Sequence, residues 1–420
     1  MLKLERIALA AAMSLLVGTT AWAGSDPEDE ALRAELEMLK SKISRIESQI
    51  NQGGATTTAA DGSTVPTIGL PSGLSGVTIS GFVSAGMMYN FNEPKGRTNT
   101  LRVFDTRSNE FMFHNVELAV EKLATEDSRG GFRGDLDFGS DSEVTGSVTT
   151  GLGSTTDELD IQQGYVEYLA PVGNGLDIKF GKFNTLHGAE VLEPAGNWNY
   201  SRSFLYGYAE PLSHTGIRTH YAWNDMLTTM VGLSNGWDVV DDNNRAKSVE
   251  LGASILPMEG VSISTAYMVG AEQNNDSHDL RHFWSLVLGY DPTEVLHFKL
   301  AADVGFEKDA VSENEGGNAT WNGIAAYARY DVTDWYSVAG RVEVFNDNDN
   351  TRTGAAVPAS VANADLRLMG WTLTNEFRLA PNLITRLEYR LDQADSHVFP
   401  MRKGLENYQN SVGAEVTYVF

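Results

Sequence analysis

The residues of this chain that could carry chemistry are charged side chains that recur at every second position. Between Leu383 and Asp392, the even positions include Arg386, Glu388 and Arg390, while Leu, Thr and Tyr fill the odd positions. Because successive side chains of a β-strand point to opposite faces, this segment predicts a strand with one apolar and one charged face. A charged face that lines a water-filled lumen can orient polar solutes and select ions.

The same alternation, followed from Leu74 onward, predicts further charged side chains on the lumen face. The predicted pore-lining residues are Glu117, Glu167, Lys179, Arg218, Lys299, Asp303, Arg329, Arg341, Glu343, Arg378, Arg386, Glu388 and Arg390. This set mixes acidic and basic groups, so it indicates no plain selectivity for cations or anions. Alternatively, the same charges satisfy a polar interior through ladders of ion pairs.

Asn184 to Glu210 is the longest irregular segment near the middle of the chain. Long segments without regular structure are commonly functional. We expect this loop to fold into the lumen and set a constriction, although it could also point outward and cover the barrel mouth. The candidate constriction residues are His187, Glu190, Glu193, Trp198, Arg202 and Tyr206.

The sequence does not favour catalysis or metal binding. None of the eight histidines lies in a His-Glu-x-x-His motif, and no Gly-x-Ser-x-Gly elbow lies in a strand–turn–helix context. Asp347 to Thr351 begins like a calcium-binding loop, but Arg352 replaces the required Gly and Pro358 the required Glu. We therefore predict no enzyme activity, no cofactor and no metal site.

Composition excludes several other classes of protein. The net charge of −25 argues against a nucleic-acid partner, which would need a basic patch. The chain has no cysteine, which excludes disulfides and thiolate metal sites. No segment after the N-terminus approaches the ~20 apolar residues of a spanning helix, so a membrane location would require a barrel.

The first 23 residues predict a secretory signal peptide. Lys3 and Arg6 precede the apolar run Ile7 to Val17, and Ala21-Trp22-Ala23 supplies small residues for cleavage after Ala23. The alternative is a membrane anchor, which the short apolar run disfavours.

Residues 24–52 predict a helical coiled coil. Apolar residues recur there at alternating spacings of four and three, which is a heptad pattern. They are Leu32, Leu36, Leu39, Ile43, Ile46 and Ile50. The segment Leu32–Ile50 could join subunits as a homotrimer in the periplasm, or it could be one amphipathic helix that lies on or plugs its own barrel. Residues 53–75, rich in Gly, Thr and Ala, predict a flexible linker.

Residues 76–420 predict an all-β fold, a transmembrane antiparallel up-and-down β-barrel of about sixteen strands. Predicted strands begin near Val77 and at Glu110, Leu159, Leu366 and Tyr408, among others. Tight turns such as residues 331–334 alternate with long polar segments such as residues 346–365. This alternation is typical of outer-membrane barrels, with turns on the periplasmic side and loops outside.

Two parts of the barrel region resemble known porins. The C-terminal strand Val412 to Phe420 looks like the terminal assembly signal of Gram-negative outer-membrane porins. Three central runs, Gly181 to Glu190, Asn197 to Phe204 and Pro211 to Arg218, are similar to the β-barrel porin type 2, or OmpL-like, family. A phosphate-selective porin family with a periplasmic coiled coil before its barrel is an open alternative.

The resemblance implies an outer-membrane porin for passive diffusion of small hydrophilic solutes or ions. It also implies contact with outer-membrane lipid and lipopolysaccharide, and recognition of the strand that ends in Phe420 by the barrel-assembly machinery. Two other functions stay open. The barrel could be a scaffold that sheaths a partner such as a periplasmic electron carrier, or an envelope tether with Leu32–Ile50 as its spacer.

Overall fold

The computed structural model describes residues 76–146, 159–311, 317–358 and 365–420, together with the short paired strands Thr56–Thr58 and Thr64–Pro66. The predicted signal peptide, the predicted coiled coil and most of the predicted linker lie outside the described residues. No helix in the described part of the chain is long and apolar enough to cross a membrane.

Sixteen strands of the described residues form one closed antiparallel barrel. In chain order they are β1 Thr78–Asn90, β2 Glu110–Lys122, β3 Gly130–Phe138, β4 Leu159–Ala170, β5 Leu176–Asn184, β6 Ser213–Asn224, β7 Leu227–Ser234, β8 Ser248–Met258, β9 Val261–Ala271, β10 Leu280–Thr293, β11 Leu296–Val311, β12 Gly317–Thr333, β13 Tyr336–Asp347, β14 Leu366–Ala380, β15 Leu383–Ala394 and β16 Tyr408–Val419. Each strand pairs with the next, and β16 pairs with β1. The predicted up-and-down barrel of about sixteen strands is therefore confirmed.

Short turns and long connections alternate around the barrel, as expected when the turns lie on one side of a membrane and the loops on the other. Two residues join β8 to β9, whereas 28 residues, 185–212, join β5 to β6. Gly260 in the first of these turns has a φ of +73°, and a Cβ at this position would lie 2.5 Å from the carbonyl oxygen of Asp291. The turn therefore requires glycine.

The final strand shows how the two faces differ. Val416 and Tyr418 are 46% and 39% exposed, whereas Glu415 and Thr417 are buried inside the barrel. Exposed large apolar side chains recur around the outside of the closed barrel, as on a surface that contacts lipid. Aromatic residues such as Trp223 lie beside the short turns, where a membrane–water interface favours them.

The hydrophobic core sits inside the barrel towards the long connections. Loops fold inward there and bury apolar side chains against the strands. Phe204 and Leu205 come from the β5–β6 connection, while Phe283, Trp321 and Phe345 come from β10, β12 and β13. Residues Leu205–Ala209 form a single π-helical turn within this core.

Candidate functional site in the barrel lumen

The connection between β5 and β6, residues 185–212, lies inside the barrel, and we call it the inserted loop. Glu388 on β15 accepts hydrogen bonds from the backbone N–H groups of Tyr200 at 2.7 Å and Ser201 at 3.0 Å. Glu343 on β13 accepts one from the N–H of Phe204 at 2.6 Å. Because β5 and β6 lie about half-way around the closed sheet from β13–β15, the loop crosses the lumen.

Three buried arginines, Arg341 on β13 and Arg386 and Arg390 on β15, form what we call the arginine wall. Arg341 donates to the carbonyl oxygen of Ser201, and Arg386 to that of Asn197, each at 2.7 Å. Arg390 donates to a further carbonyl of the loop. A guanidinium group presents five N–H donors, so each arginine can bind the loop and a carboxylate at once.

Carboxylates from the same strand, from neighbouring strands and from the loop neutralise the arginine wall. The pairs are Arg386 with Glu415 at 2.8 Å and Glu376 at 2.9 Å, Arg390 with Asp392 at 2.7 Å, and Arg341 with Glu190 at 2.8 Å. Removing one partner of such a buried pair leaves an uncompensated charge, which is strongly destabilising. The wall and the inserted loop are therefore one electrostatic unit.

Three of the predicted constriction residues lie where the loop meets the wall. Glu190 joins Arg341 to the N–H and hydroxyl groups of Ser203, both at 2.8 Å. The guanidinium of Arg202 lies 5.9 Å from the ring centre of Tyr206, within the range of a cation–π contact. All three side chains are buried.

Two other predicted constriction residues contact the wall formed by β10 and β11. Nδ1 of His187 lies 2.9 Å from the hydroxyl oxygen of Ser285, and the ammonium of Lys299 lies 4.4 Å from the ring centre of Trp198. Gly188, which follows the histidine, has a φ of +82°, and a Cβ there would collide with a neighbouring carboxyl group. This glycine lets the loop turn into the lumen.

Three acidic side chains, Glu117, Asp137 and Asp160, form what we call the carboxyl row, on β2, β3 and β4. The strand register places Glu117 opposite Asp137, and Asp137 opposite Asp160. Among the described residues, Lys182 is the one cation within 4.0 Å of the row, at 3.2 Å from Asp160. All three side chains are buried. Like charges directly opposite each other on a sheet repel, so a cation close to the row would relieve this repulsion.

Glu193, the last predicted constriction residue, lies near enough to the carboxyl row to interact with it electrostatically. Burial raises the pKa of the Glu193 carboxyl. The Asp135 carboxylate adds to this rise, whereas Arg133 and Arg202 oppose it. The loop thus presents an acidic group to the side of the lumen that is already acidic.

The remaining predicted pore-lining residues form smaller groups along the wall. Their contacts are Glu167 with Lys179 at 3.6 Å, Arg218 with Glu250 at 3.0 Å, and Arg329 with Asp331 at 2.7 Å and Glu376 at 3.2 Å. Asp303 is buried on β11 beside Ser285 of β10, and Arg378 is 42% exposed near the β14–β15 turn.

Sequence reasoning missed Asp135, Asp137, Asp160 and Glu376 as lumen residues. The alternation of Arg133, Asp135 and Asp137 with apolar neighbours on β3 was a usable signal. Asp160 was harder to find, because it lies at the start of β4 after a segment rich in Ser, Thr and Gly, and a register shift in β4 changes the parity.

A closed antiparallel barrel with an apolar exterior, a charged interior and a loop across its lumen defines an outer-membrane channel protein of the porin class. Residues 76–420 match the family model described as "Putative beta-barrel porin-2, OmpL-like", and the chain belongs to this family of porins. The resemblance noted from the sequence is thus confirmed. The family and the fold are those of channels of the Gram-negative outer membrane. No curated protein matches the chain.

Solved structures of outer-membrane proteins share the fold. The anion-selective porin from Comamonas acidovorans is 12% identical, with a TM-score of 0.56, over 82% of this chain and 99% of that chain. The trimer form of OmpT, an outer membrane protein of Vibrio cholerae, is 12% identical with a TM-score of 0.55 over 82% and 99%. The outer membrane channel DcaP of Acinetobacter baumannii is 12% identical with a TM-score of 0.53 over 82% and 97%.

Proposed function

We propose that this porin admits small hydrophilic solutes by passive diffusion and favours cations over anions. The carboxyl row carries the proposal, because its three acidic groups have a single cationic neighbour within 4.0 Å among the described residues. Acidic groups around a pore attract cations and repel anions. The arginine wall does not offset this field, since its guanidinium groups are bound to carboxylates and loop carbonyls.

The inserted loop sets the narrowest part of the pathway in this proposal. It crosses the lumen, and where it reaches β13–β15 its backbone is held by Glu388 and the arginine wall. Solutes then pass between the loop and the carboxyl row, with Glu193 facing the pathway. In this proposal, the pore-lining and constriction residues predicted from the sequence bind or repel the passing solutes. The proposal includes no catalytic step and no cofactor.

Reversal potentials in planar bilayers under a salt gradient test the selectivity. At alkaline pH, where these buried carboxyl groups are ionised, the protein should be cation-selective. The double variant Glu117→Gln/Asp137→Asn should then lower this selectivity about threefold for each charge removed. The estimate follows because a unit charge about 6 Å from an ion in water contributes about 0.7 kcal/mol.

Asp334→Asn, which removes a negative charge at the exposed β12–β13 turn, is the matched control and should leave the ratio unchanged. The proposal would be contradicted if this protein proved to be anion-selective, which is the property in the name of the Comamonas acidovorans porin. An unchanged ratio in the double variant would contradict it as well.

Assembly forms a second part of the proposal. The backbone of Phe420 exchanges two hydrogen bonds with Gly81 of β1, each of 2.9 Å, so the last residue takes part in barrel closure. We propose that the assembly machinery reads this strand after cleavage of the signal peptide behind Ala23, that the loops meet lipopolysaccharide, and that Leu32–Ile50 joins a homotrimer. Chemical crosslinking of the mature protein should trap a trimer. The same experiment on a chain that lacks residues 24–52 should trap none.

The filled outer half of the lumen favours one alternative, a barrel that holds a partner. Phe204, Phe283, Trp321 and Phe345 pack there into a continuous apolar cluster. A folded protein that gives no conductance steps in a bilayer would support this scaffold function, whereas steady open steps support the porin.

A further inference from the structure

Three side chains of types that commonly ligate metals meet where the inserted loop leaves the barrel wall. His187 lies in the loop, His214 on β6 and Glu250 on β8, and all three side chains are fully buried. One ligand atom from each lies within 4.8 Å of the other two. We infer that this triad binds a divalent transition-metal ion of the zinc type.

The ring of His187 has the hydrogen bonding of a ligating histidine. Its Nδ1 lies 2.9 Å from Oγ of Ser285, which fixes the ring orientation. Its Nε2 is buried and has no hydrogen-bond partner among the described residues, and Oε1 of Glu250 lies 3.7 Å away. Ligating histidines characteristically use one ring nitrogen for the metal and the other for such a hydrogen bond.

Glu250 supplies the carboxylate, and its orientation is fixed as well. Nη2 of Arg218 donates to both carboxylate oxygens, at 3.0 and 3.3 Å, while the guanidinium lies 4.1 Å from the ring centre of Phe183. Each carboxylate oxygen has two lone pairs, so Oε1 can bind both the arginine and an ion.

The donor set identifies the class of ion. Two imidazoles and one carboxylate with an open fourth position form a recurrent zinc site, whose donor atoms lie about 3.3 Å apart in a tetrahedron. Nε2 of His214 is already 3.2 Å from Oε1 of Glu250. Oγ1 of Thr185, at 3.2 Å from the same Nε2, or a water can take the fourth position.

A bound ion would connect the root of the inserted loop to β6, the strand that directly follows it, and to β8, two strands further along the barrel. His187 precedes the part of the loop that contacts the arginine wall, whereas Glu250 lies two strands beyond His214. The ion would therefore hold the loop in place from the side opposite the arginine wall, independently of which solutes pass.

The test uses the full-length protein, folded in detergent, stripped with a chelator and dialysed against Zn²⁺ or Co²⁺ alone. We expect one ion per chain and the visible absorption of four-coordinate Co²⁺. His187→Gln and His214→Gln should each weaken binding at least about tenfold, since even loss of a supporting contact costs this much. His282→Gln is the control, because this histidine contacts Tyr267 on the β9–β10 wall instead.

Circular dichroism and the resistance of folded barrels to dodecyl sulfate verify that each variant is folded. His187 lies in a loop, so its variant stays informative even if the β6 variant fails to fold. Binding that is equal in His187→Gln and the control, or a six-coordinate Co²⁺ spectrum, would overturn the inference.

Discussion

The arginine wall and the carboxyl row are built from the same kind of residue, a charged side chain at an inward position of a strand, yet their surroundings differ. Arg386 is bound to Glu376, Glu415 and two loop carbonyls. Glu117 and Asp137 form no ion pair among the described residues. An inward charge therefore stabilises the fold where partners saturate it. The buried acidic groups of the carboxyl row lack such partners and leave an uncompensated field.

The largest effect should come from the arginine wall. Arg386→Ala leaves two carboxylates buried without their partner, which should lower the free energy of unfolding by about 3–5 kcal/mol. Urea-induced unfolding in lipid vesicles, followed by tryptophan fluorescence, measures this change.

Arg378→Ala is the matched control for that experiment. This arginine contacts the same Glu376, at 3.3 Å, but is 42% exposed, so its loss should cost no more than about 1 kcal/mol. Equal losses in the two variants would show that burial does not distinguish the wall.

A second effect concerns the position of the inserted loop. Deletion of Leu192 to Tyr200 removes the carbonyl groups that bind Arg386, and should raise single-channel conductance because the loop no longer narrows the lumen. Deletion of residues 274–277, in the outer connection between β9 and β10, is the control and should leave conductance unchanged. The hypothesis of a constriction loop fails if both deletions give the conductance of the intact protein.

The third prediction sharpens the role of the carboxyl row. Lys182→Gln removes the cation 3.2 Å from Asp160, so selectivity for cations should rise about threefold, by the same Coulomb estimate of about 0.7 kcal/mol. Reversal potentials measure it against Glu117→Gln, which should move the ratio in the opposite direction. Two variants that shift the ratio in the same direction would exclude a simple charge effect.

The smallest effect is a pH dependence. Burial raises the pKa of Glu193, so this carboxyl group ionises at a higher pH than an exposed glutamate does. As the pH is lowered, cation selectivity should therefore begin to decline at a higher pH than the one at which exposed acids titrate. Selectivity recorded against pH should show this early decline in the protein and lack it in Glu193→Gln; identical profiles would contradict the assignment.

The sequence by itself determined the barrel and its two faces. The period of two places Val416 outward and Glu415 inward from local information, and strands at Glu110, Leu366 and Tyr408 begin where the alternation begins. Such a pattern suffices because each strand must present apolar groups to lipid and polar groups to the interior, whatever its neighbours are.

Only the tertiary structure decided which inward charges are saturated. Arg386 meets Asn197 across 189 positions of sequence, and His187 meets Ser285 across 98. The row of Glu117, Asp137 and Asp160 depends on the register of three strands. These contacts arise from the closure of the sheet and the path of one loop through it, and the period of a single strand contains no information about either.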